Sequence, residues 1–310
     1  MKIAFMFPGQ GAQFPGMGED FFQKYQEARI VYEKASKVVG KDLAKLCFRG
    51  TPEELSNTIH TQLAISTTSL AILAVLKKYG ITADIDVGLS LGEYVALIDS
   101  NILSFEDGIK LLERRSYFMA NKQPNEKYSM IAIMGLEVDK IEEICQKAEG
   151  FIVPANYNYS GQIVVTGEEK TVEEVTIKLE EVGAKRIVKL NTSGPFHTEK
   201  LLEASKCYRE ALEKVNFEIT ENRVIKNIDG TFYTKTDNIK DILAKHIISP
   251  VRFDKTIQTM QKEGIDTYIE IGPGKALSGF VRKENKEAKV FNIQKVEDLQ
   301  NLLKEFAINE

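Results

Sequence analysis

An α/β fold, with a small domain inserted into a larger one, is what this sequence predicts, and two observations predict it. Toward both ends of the chain, short apolar runs closed by glycine alternate with longer amphipathic stretches, the pattern of a mostly parallel sheet with helical crossovers. Between them lies a stretch of about sixty residues that follows another order, β-α-β-β-α-β, which is ferredoxin-like. Residues 2–7, closed by Pro8-Gly9, read as a buried first strand. Residues 20–39 are helical in pattern with room for a break, and 62–79 form a long apolar helix. A second strand covers 85–87 with Gly88 behind it, and helices follow over 91–100 and 105–121. The insert has strands at 129–135, 151–155, 162–166 and 185–190, with helices at 138–147 and 168–182. Its borders are turn-rich: Pro124-Asn125 before it and Asn191-Thr192-Ser193-Gly194-Pro195 after it. The larger domain is therefore 1–124 with 191–310, and the smaller one 125–190. It resumes with a helix over 199–215, a strand over 223–228 and a helix over 239–248. A strand over 267–271 runs into Gly272-Pro273-Gly274, and a strand over 290–293 and a helix over 298–306 close the chain.

Composition removes several functional classes. With 310 residues, 43% of them hydrophobic, the chain can bury a core without disulfides or a structural metal. Forty-one basic against 45 acidic residues leave a net charge of −4, which offers no electrostatic footprint for nucleic acid. Cys47, Cys145 and Cys207 are odd in number and far apart, as suits a reducing cytoplasm. The apolar run behind Met1-Lys2 is too short for a signal-peptide core, and the greasy stretch 63–76 is interrupted by Ser66, Thr67, Thr68 and Ser69. The expectation is a cytoplasmic protein that does not span a membrane.

Gly88-Leu89-Ser90-Leu91-Gly92 is the strongest local signal. G-x-S-x-G between a strand and a helix is where a nucleophile elbow sits, because the sharp turn lifts a serine Oγ clear of the sheet. The bland alternative is an ordinary strand-to-helix turn with a capping serine. A serine needs a base, and three histidines are available. His60 opens an apolar helix and reads as a cap-proximal residue. His246 ends a helix before Ser249-Pro250, where the helix dipole favours it. His197 lies in the loop Gly194-Pro195-Phe196-His197-Thr198, downstream of the serine, and is the candidate base. So few histidines leave too few ligands for a metal site.

Gly9-Gln10-Gly11 follows the first strand, but Phe14 stands where a dinucleotide fingerprint needs its last glycine. Such a loop either is a plain turn or aims the Gln10 N–H at an oxyanion, with the Leu91 N–H as second donor. Gly272-Pro273-Gly274-Lys275 resembles a phosphate loop, yet Ala276 follows the lysine, and a structural turn is the better reading. Arg114 and Arg115 lie on one helix; a guanidinium facing the serine would bind a carboxylate, whereas most helical arginines are solvated.

Together these residues resemble the malonyl-CoA:acyl carrier protein transacylase family, and the resemblance runs nearly end to end. It rests on Phe7-Pro8-Gly9-Gln10-Gly11-Ala12-Gln13 with Gly16-Met17-Gly18, Gly88 through Tyr94, Arg115 through Met119, and Asn156-Tyr157-Asn158 with Gly161-Gln162. Gly194 through His197, Pro250-Val251-Arg252-Phe253 and Glu270 through Gly274 complete it. The resemblance implies an α/β-hydrolase-like large domain with a ferredoxin-like insert. It implies malonyl transfer from malonyl-CoA to the phosphopantetheine thiol of acyl carrier protein through a seryl ester on Ser90, in support of fatty acid synthesis. His197 is then the base, and Gln10 and Leu91 the oxyanion-hole positions. Arg115 is the clamp for the malonyl carboxylate, with Gln62 and Met119 near the acyl pocket. The main-chain carbonyl at His246 would orient His197. No cofactor, a monomer, and no nucleic-acid or membrane partner are implied; polyketide supply and ester hydrolysis are the alternative readings. Two positions depart from the family pattern: Leu89 replaces a usual histidine, and His246 a usual glutamine. An unperturbed imidazole at His197, near pKa 6.5, would make activity fall below about pH 6. A negatively charged chain must meet an acidic carrier through a local basic patch, with Lys185, Arg186 and Lys189 or Lys275, Arg282 and Lys283 as candidates.

Overall fold

The computed structural model describes residues 1–192, 194–219 and 223–309; Ser193, in the expected border after the insert, lies outside them. The first strand, β1 (Ile3–Phe7), is buried at every residue. Its period of two sends Ile3, Phe5 and Phe7 into one core and Ala4 and Met6 into another, so both faces of its sheet are covered. The helical stretch expected over 20–39 is two helices, α1 (Glu19–Lys24) and α2 (Gln26–Val39), and the break falls at Tyr25, whose backbone is extended. Two short helices follow that the periodicity does not announce, α3 (Leu43–Arg49) and α4 (Pro52–Ser56). A capping box between Thr51 and Glu54 starts the second of them. The long helix α5 (Thr58–Lys78) begins ahead of residue 62 because Asn57 caps it, so His60 and Gln62 both lie inside it. By length and composition α5 could cross a bilayer, but its apolar window is 83% buried inside the protein.

The strand β2 (Ile85–Gly88) leads into α6 (Gly92–Asp99) and α7 (Phe105–Asn121). The next segment holds β3 (Tyr128–Met134), α8 (Val138–Gln146), β4 (Ile152–Tyr159), β5 (Gln162–Glu168), α9 (Glu169–Glu181) and β6 (Arg186–Lys189), in the expected order. Beyond it come α10 (Leu202–Leu212), α11 (Ile239–His246), β7 (Val251–Arg252), α12 (Phe253–Lys262) and β8 (Thr267–Ile271). The chain closes with α13 (Ala276–Glu284), β9 (Lys289–Ile293) and α14 (Val296–Glu305).

These elements build two sheets. The first is parallel throughout, in the order β2-β1-β8-β9. The second has the order β6-β3-β5-β4-β7 and is antiparallel except for the last pair. Its edge strand β7 comes from beyond residue 190, so this sheet draws on chain outside the expected insert. The strand expected over 223–228 is corrected to isolated bridges, Asp86 with Val224 and Ile225 with Phe232. The chain turns back at once, with the Lys226 N–H donating to the Thr231 carbonyl, and too few residues remain for a ladder. In the second sheet Ile131, Ile133, Ile163 and Val165 pack into a core of their own with residues of α8 and α9. The alternate residues Met130, Ala132 and Val164 face the cavity described next.

Candidate active site

Between the end of β2 and the start of α6 only Leu89, Ser90 and Leu91 remain to reverse the chain. Glycine is required on either side of that turn. A Cβ on Gly88 would lie 1.9 Å from the Gly92 carbonyl carbon, and one on Gly92 would lie 2.2 Å from the Phe7 carbonyl oxygen. Ser90 is left with φ 55°, a left-handed conformation that costs a non-glycine residue on the order of 1–3 kcal/mol unless its surroundings hold it. The holder is Asn227. Its Oδ1 accepts the Ser90 N–H at 2.7 Å, and its Nδ2 donates to the Gly88 carbonyl at 2.6 Å.

His197 also has a left-handed backbone, at φ 61°, and its ring reaches the serine: Nε2 is 2.8 Å from Ser90 Oγ. On the far side of the ring, Nδ1 is 2.9 Å from the His246 carbonyl oxygen. A carbonyl can only accept, so Nδ1 carries the proton and Nε2 presents a lone pair to the serine hydroxyl. Burial, and then the charges of His246 and Arg115, hold the imidazole well below its usual pKa, against a smaller opposing pull from the carbonyls of His246 and Ser249. The expectation of an unperturbed imidazole is thus corrected: the His197 ring stays neutral into acid solution.

Arg115 lies on the buried face of α7 while its neighbour Arg114 is exposed, as a helix turning about 100° per residue requires. The guanidinium is only 1% exposed. Its Nη1 donates to Gln62 Oε1 at 2.7 Å and its Nη2 to Ser90 Oγ at 3.0 Å, and the Tyr94 ring centroid lies 5.6 Å from its Cζ. Among the described residues no carboxylate pairs with it, and Nε has no hydrogen-bond partner. Gln62 Nε2 in turn contacts Met119 Sδ at 3.6 Å. Ser90, His197, Gln10, Leu91, Arg115, Gln62 and Met119 all line one cavity of about 480 Å³ between the two sheets. The N–H groups of Gln10 and Leu91 make no hydrogen bond among the described residues, so both are free to receive an oxyanion. Such a set can activate a hydroxyl, stabilise negative charge on a carbonyl oxygen and hold an anionic substituent.

His246 stands behind His197 rather than in the cavity, and half-buried His60 lies outside it. Gly272-Pro273-Gly274-Lys275 is a structural turn for a clear reason. The buried Glu270 carboxylate accepts the N–H groups of Leu277 and Ser278, at 3.2 and 2.8 Å, and so takes the place of an anion at the start of α13. No group of three or more metal-ligating side chains occurs among the described residues. Sequence reasoning missed Asn227, which it placed only as a residue of the strand expected over 223–228, and gave no role to Glu93, although Glu93 follows directly on the elbow glycine.

Comparisons with known proteins identify the family. Residues 4–302 match the model of the acyl transferase domain family. A malonyl CoA-acyl carrier protein transacylase of Bacillus subtilis (strain 168) is 39% identical over 302 residues, which are 96% of this chain and 95% of that protein. The crystal structure of malonyl CoA-acyl carrier protein transacylase from Clostridium perfringens superposes with a TM-score of 0.94 at 40% identity, over 99% of this chain and 98% of its own. A malonyl-transacylase solved in complex with a type II PKS acyl-carrier protein gives a TM-score of 0.94 at 30% identity, over 98% of this chain and 100% of its own. This chain, whose serine, imidazole and buried guanidinium meet in one cavity, belongs to the acyl transferase domain family, among the malonyl CoA-acyl carrier protein transacylases.

Proposed function

We propose that this enzyme moves a malonyl group from malonyl-CoA to the phosphopantetheine thiol of an acyl carrier protein, feeding fatty acid synthesis in the cytoplasm. His197 Nε2 takes the Ser90 proton, and Ser90 Oγ attacks the thioester carbonyl. The N–H groups of Gln10 and Leu91 hold the oxyanion. The C–S bond breaks, the His197 proton goes to the coenzyme A sulfur, and malonate stays as an ester on Ser90. The carrier thiol then gives its proton to His197 and attacks that ester, and Ser90 recovers its hydrogen as it leaves. Nucleophile, base and oxyanion donors are all protein groups, so the reading calls for no cofactor.

The observation that carries this reading is the Arg115 guanidinium, buried beside Ser90 Oγ with no carboxylate of the protein paired to it among the described residues. A buried cation without a counter-ion is costly, and an acyl group that brings its own carboxylate relieves the cost. In a malonyl ester the carboxylate carbon is two bonds from the carbonyl carbon, which suits a guanidinium at the nucleophile. Gln62 fixes the fork from one side, and Met119 fills the wall behind Gln62. The order of β3, α8, β4, β5, α9 and β6 supports a ferredoxin-like insert at 125–190 in an α/β-hydrolase-like domain of 1–124 and 191–310. We take the enzyme to act as a monomer. Mass spectrometry of the intact chain after brief exposure to malonyl-CoA tests the reading: one malonyl adduct on Ser90 is expected, and an unmodified chain or an adduct elsewhere overturns it.

A further inference from the structure

The clamp on Ser90 and the clamp on His197 meet at one buried carboxylate, Glu93, which is 1% exposed on the first turn of α6. One oxygen, Oε1, accepts the Asn227 main-chain N–H at 3.4 Å and the Tyr233 hydroxyl at 2.7 Å. Asn227 is the residue whose side chain spans Gly88 and Ser90. The other oxygen, Oε2, faces His246 Nδ1 at 3.1 Å, and among the described residues neither atom makes a hydrogen bond. His246 is the residue whose carbonyl receives the His197 Nδ1 proton, and its own ring, also 1% exposed, sits 4.9 Å from the His197 ring. The side chain at 246 therefore lies against both Glu93 and the His197 ring in this chain, where the family pattern has glutamine.

We propose that Glu93 is a positioning residue that couples the nucleophile to its base, with Asn227 as its arm toward Ser90 and the His246 imidazole as its arm toward His197. The chemistry favours this over mere packing. A buried carboxylate needs partners to offset its desolvation, and here Oε1 accepts from Asn227 and Tyr233 while Oε2 faces the His246 ring, so one carboxylate touches both residues that hold the dyad from opposite sides. A shift of a few tenths of an ångström in either arm alters the 2.8 Å contact between Ser90 and His197. The link rests on Ser90 and His197 being nucleophile and base, as proposed above.

The test measures acylation of Ser90 by malonyl-CoA in single turnovers, alongside steady-state kcat and KM and the unfolding midpoint of each variant. Glu93→Gln keeps shape and volume but removes the charge opposite His246. It is expected to slow acylation between about tenfold and a hundredfold while KM for malonyl-CoA stays within about twofold. His246→Leu should lose a similar amount, and His246→Gln, whose amide can face Oε2 with a polar N–H, should recover most of that loss. In the Glu93→Gln/His246→Leu double variant the losses should fail to multiply. Should Glu93→Gln not fold, the His246→Leu and His246→Gln pair reads the same link from the base's side. Wild-type acylation in Glu93→Gln, losses that multiply, or equal loss in His246→Leu and His246→Gln would each sink the coupling. A wild-type chain that gains no adduct overturns both readings, whereas a wild type that does, beside an unaffected Glu93→Gln, overturns this one alone.

Discussion

Ser90 and His197 share a left-handed backbone conformation, and both hold it through groups distant in sequence. On the proposed mechanism they act as one unit, so Ser90→Ala and His197→Ala should each remove most turnover, and the double variant should be scarcely worse than either single one. The buried, neutral imidazole also sets a pH expectation. Protonation abolishes its basicity, and its folded pKa lies below the usual value, so kcat/KM should persist as pH falls through 6.5 and fail only in more acid solution. A half-maximal rate at about pH 6.5 would show that burial does not govern this residue. In the same range the unfolded chain takes up a proton that the folded one refuses, so stability falls as pH drops below about 6.5. In the proposed function Arg115 carries the choice of substrate. Two charge-assisted bonds to a carboxylate contribute about 1.5–3 kcal/mol each, and an acetyl group leaves the same guanidinium unpaired. Arg115→Ala should lower kcat/KM for malonyl-CoA by about a hundredfold or more while sparing or raising that for acetyl-CoA. Arg115→Lys should restore only part, because an ammonium lacks the planar fork. Exposed Arg114 is the internal control: a malonyl-to-acetyl ratio that responds to Arg114→Ala and ignores Arg115→Ala contradicts the assignment.

At the scale of the element, the join of β2 to α6 is set by the absence of two side chains. Gly88→Ala places a methyl group 1.9 Å from the Gly92 carbonyl carbon, and main chain cannot swing aside as a side chain can. The helix must move off the strand, which should cost about 1–3 kcal/mol or more and tilt Ser90 away from His197. Denaturant titration and single-turnover acylation should therefore both register the change. Unchanged stability and rate in the Gly88→Ala variant would mean the elbow tolerates a wider turn. This join was legible in the sequence because its whole mechanism is local: strand, G-x-S-x-G and helix are contiguous. The partners that steady it were not. Asn227 is brought to Gly88 and Ser90 from 139 and 137 positions away, beside the bridge between Val224 and Asp86. The apolar run there reads as a strand over 223–228, but nothing along the chain says that its asparagine reaches the elbow. The two-residue strand β7 is too short to show an alternation, and α3 and α4 were hidden because each is shorter than the window in which helical periodicity shows. His246 was legible as a helix end, but its contact with Glu93 joins α11 to α6 and has no signature along the chain.

Across the whole molecule, two sheets of different construction enclose one cavity, and the basic residues at its mouth come from both. Arg186 on β6 and Lys275 at the start of α13 are exposed and line that cavity. The other candidates from the sequence are engaged elsewhere. Lys189 pairs with Glu169 at 3.1 Å, Arg282 donates to the Val290 carbonyl at 2.7 Å, and the stem of Lys185 packs on Gly135. Lys283 is exposed at the far end of α13 and does not line the cavity. A carrier protein that delivers its thiol through this mouth would bring negative charge toward Arg186 and Lys275, against a chain that is itself net negative. Arg186→Glu and Lys275→Glu should each raise KM for the carrier severalfold and leave the acylation rate of Ser90 by a saturating thioester unchanged. Added salt should shrink the difference from wild type, because screening shortens to about 8 Å at physiological ionic strength and further above it. Lys283→Glu should change little, since its charge stands away from the path of the thiol. If Lys283→Glu raises KM for the carrier as much as Arg186→Glu does, the carrier answers to the net charge of this face and not to the two residues at the mouth.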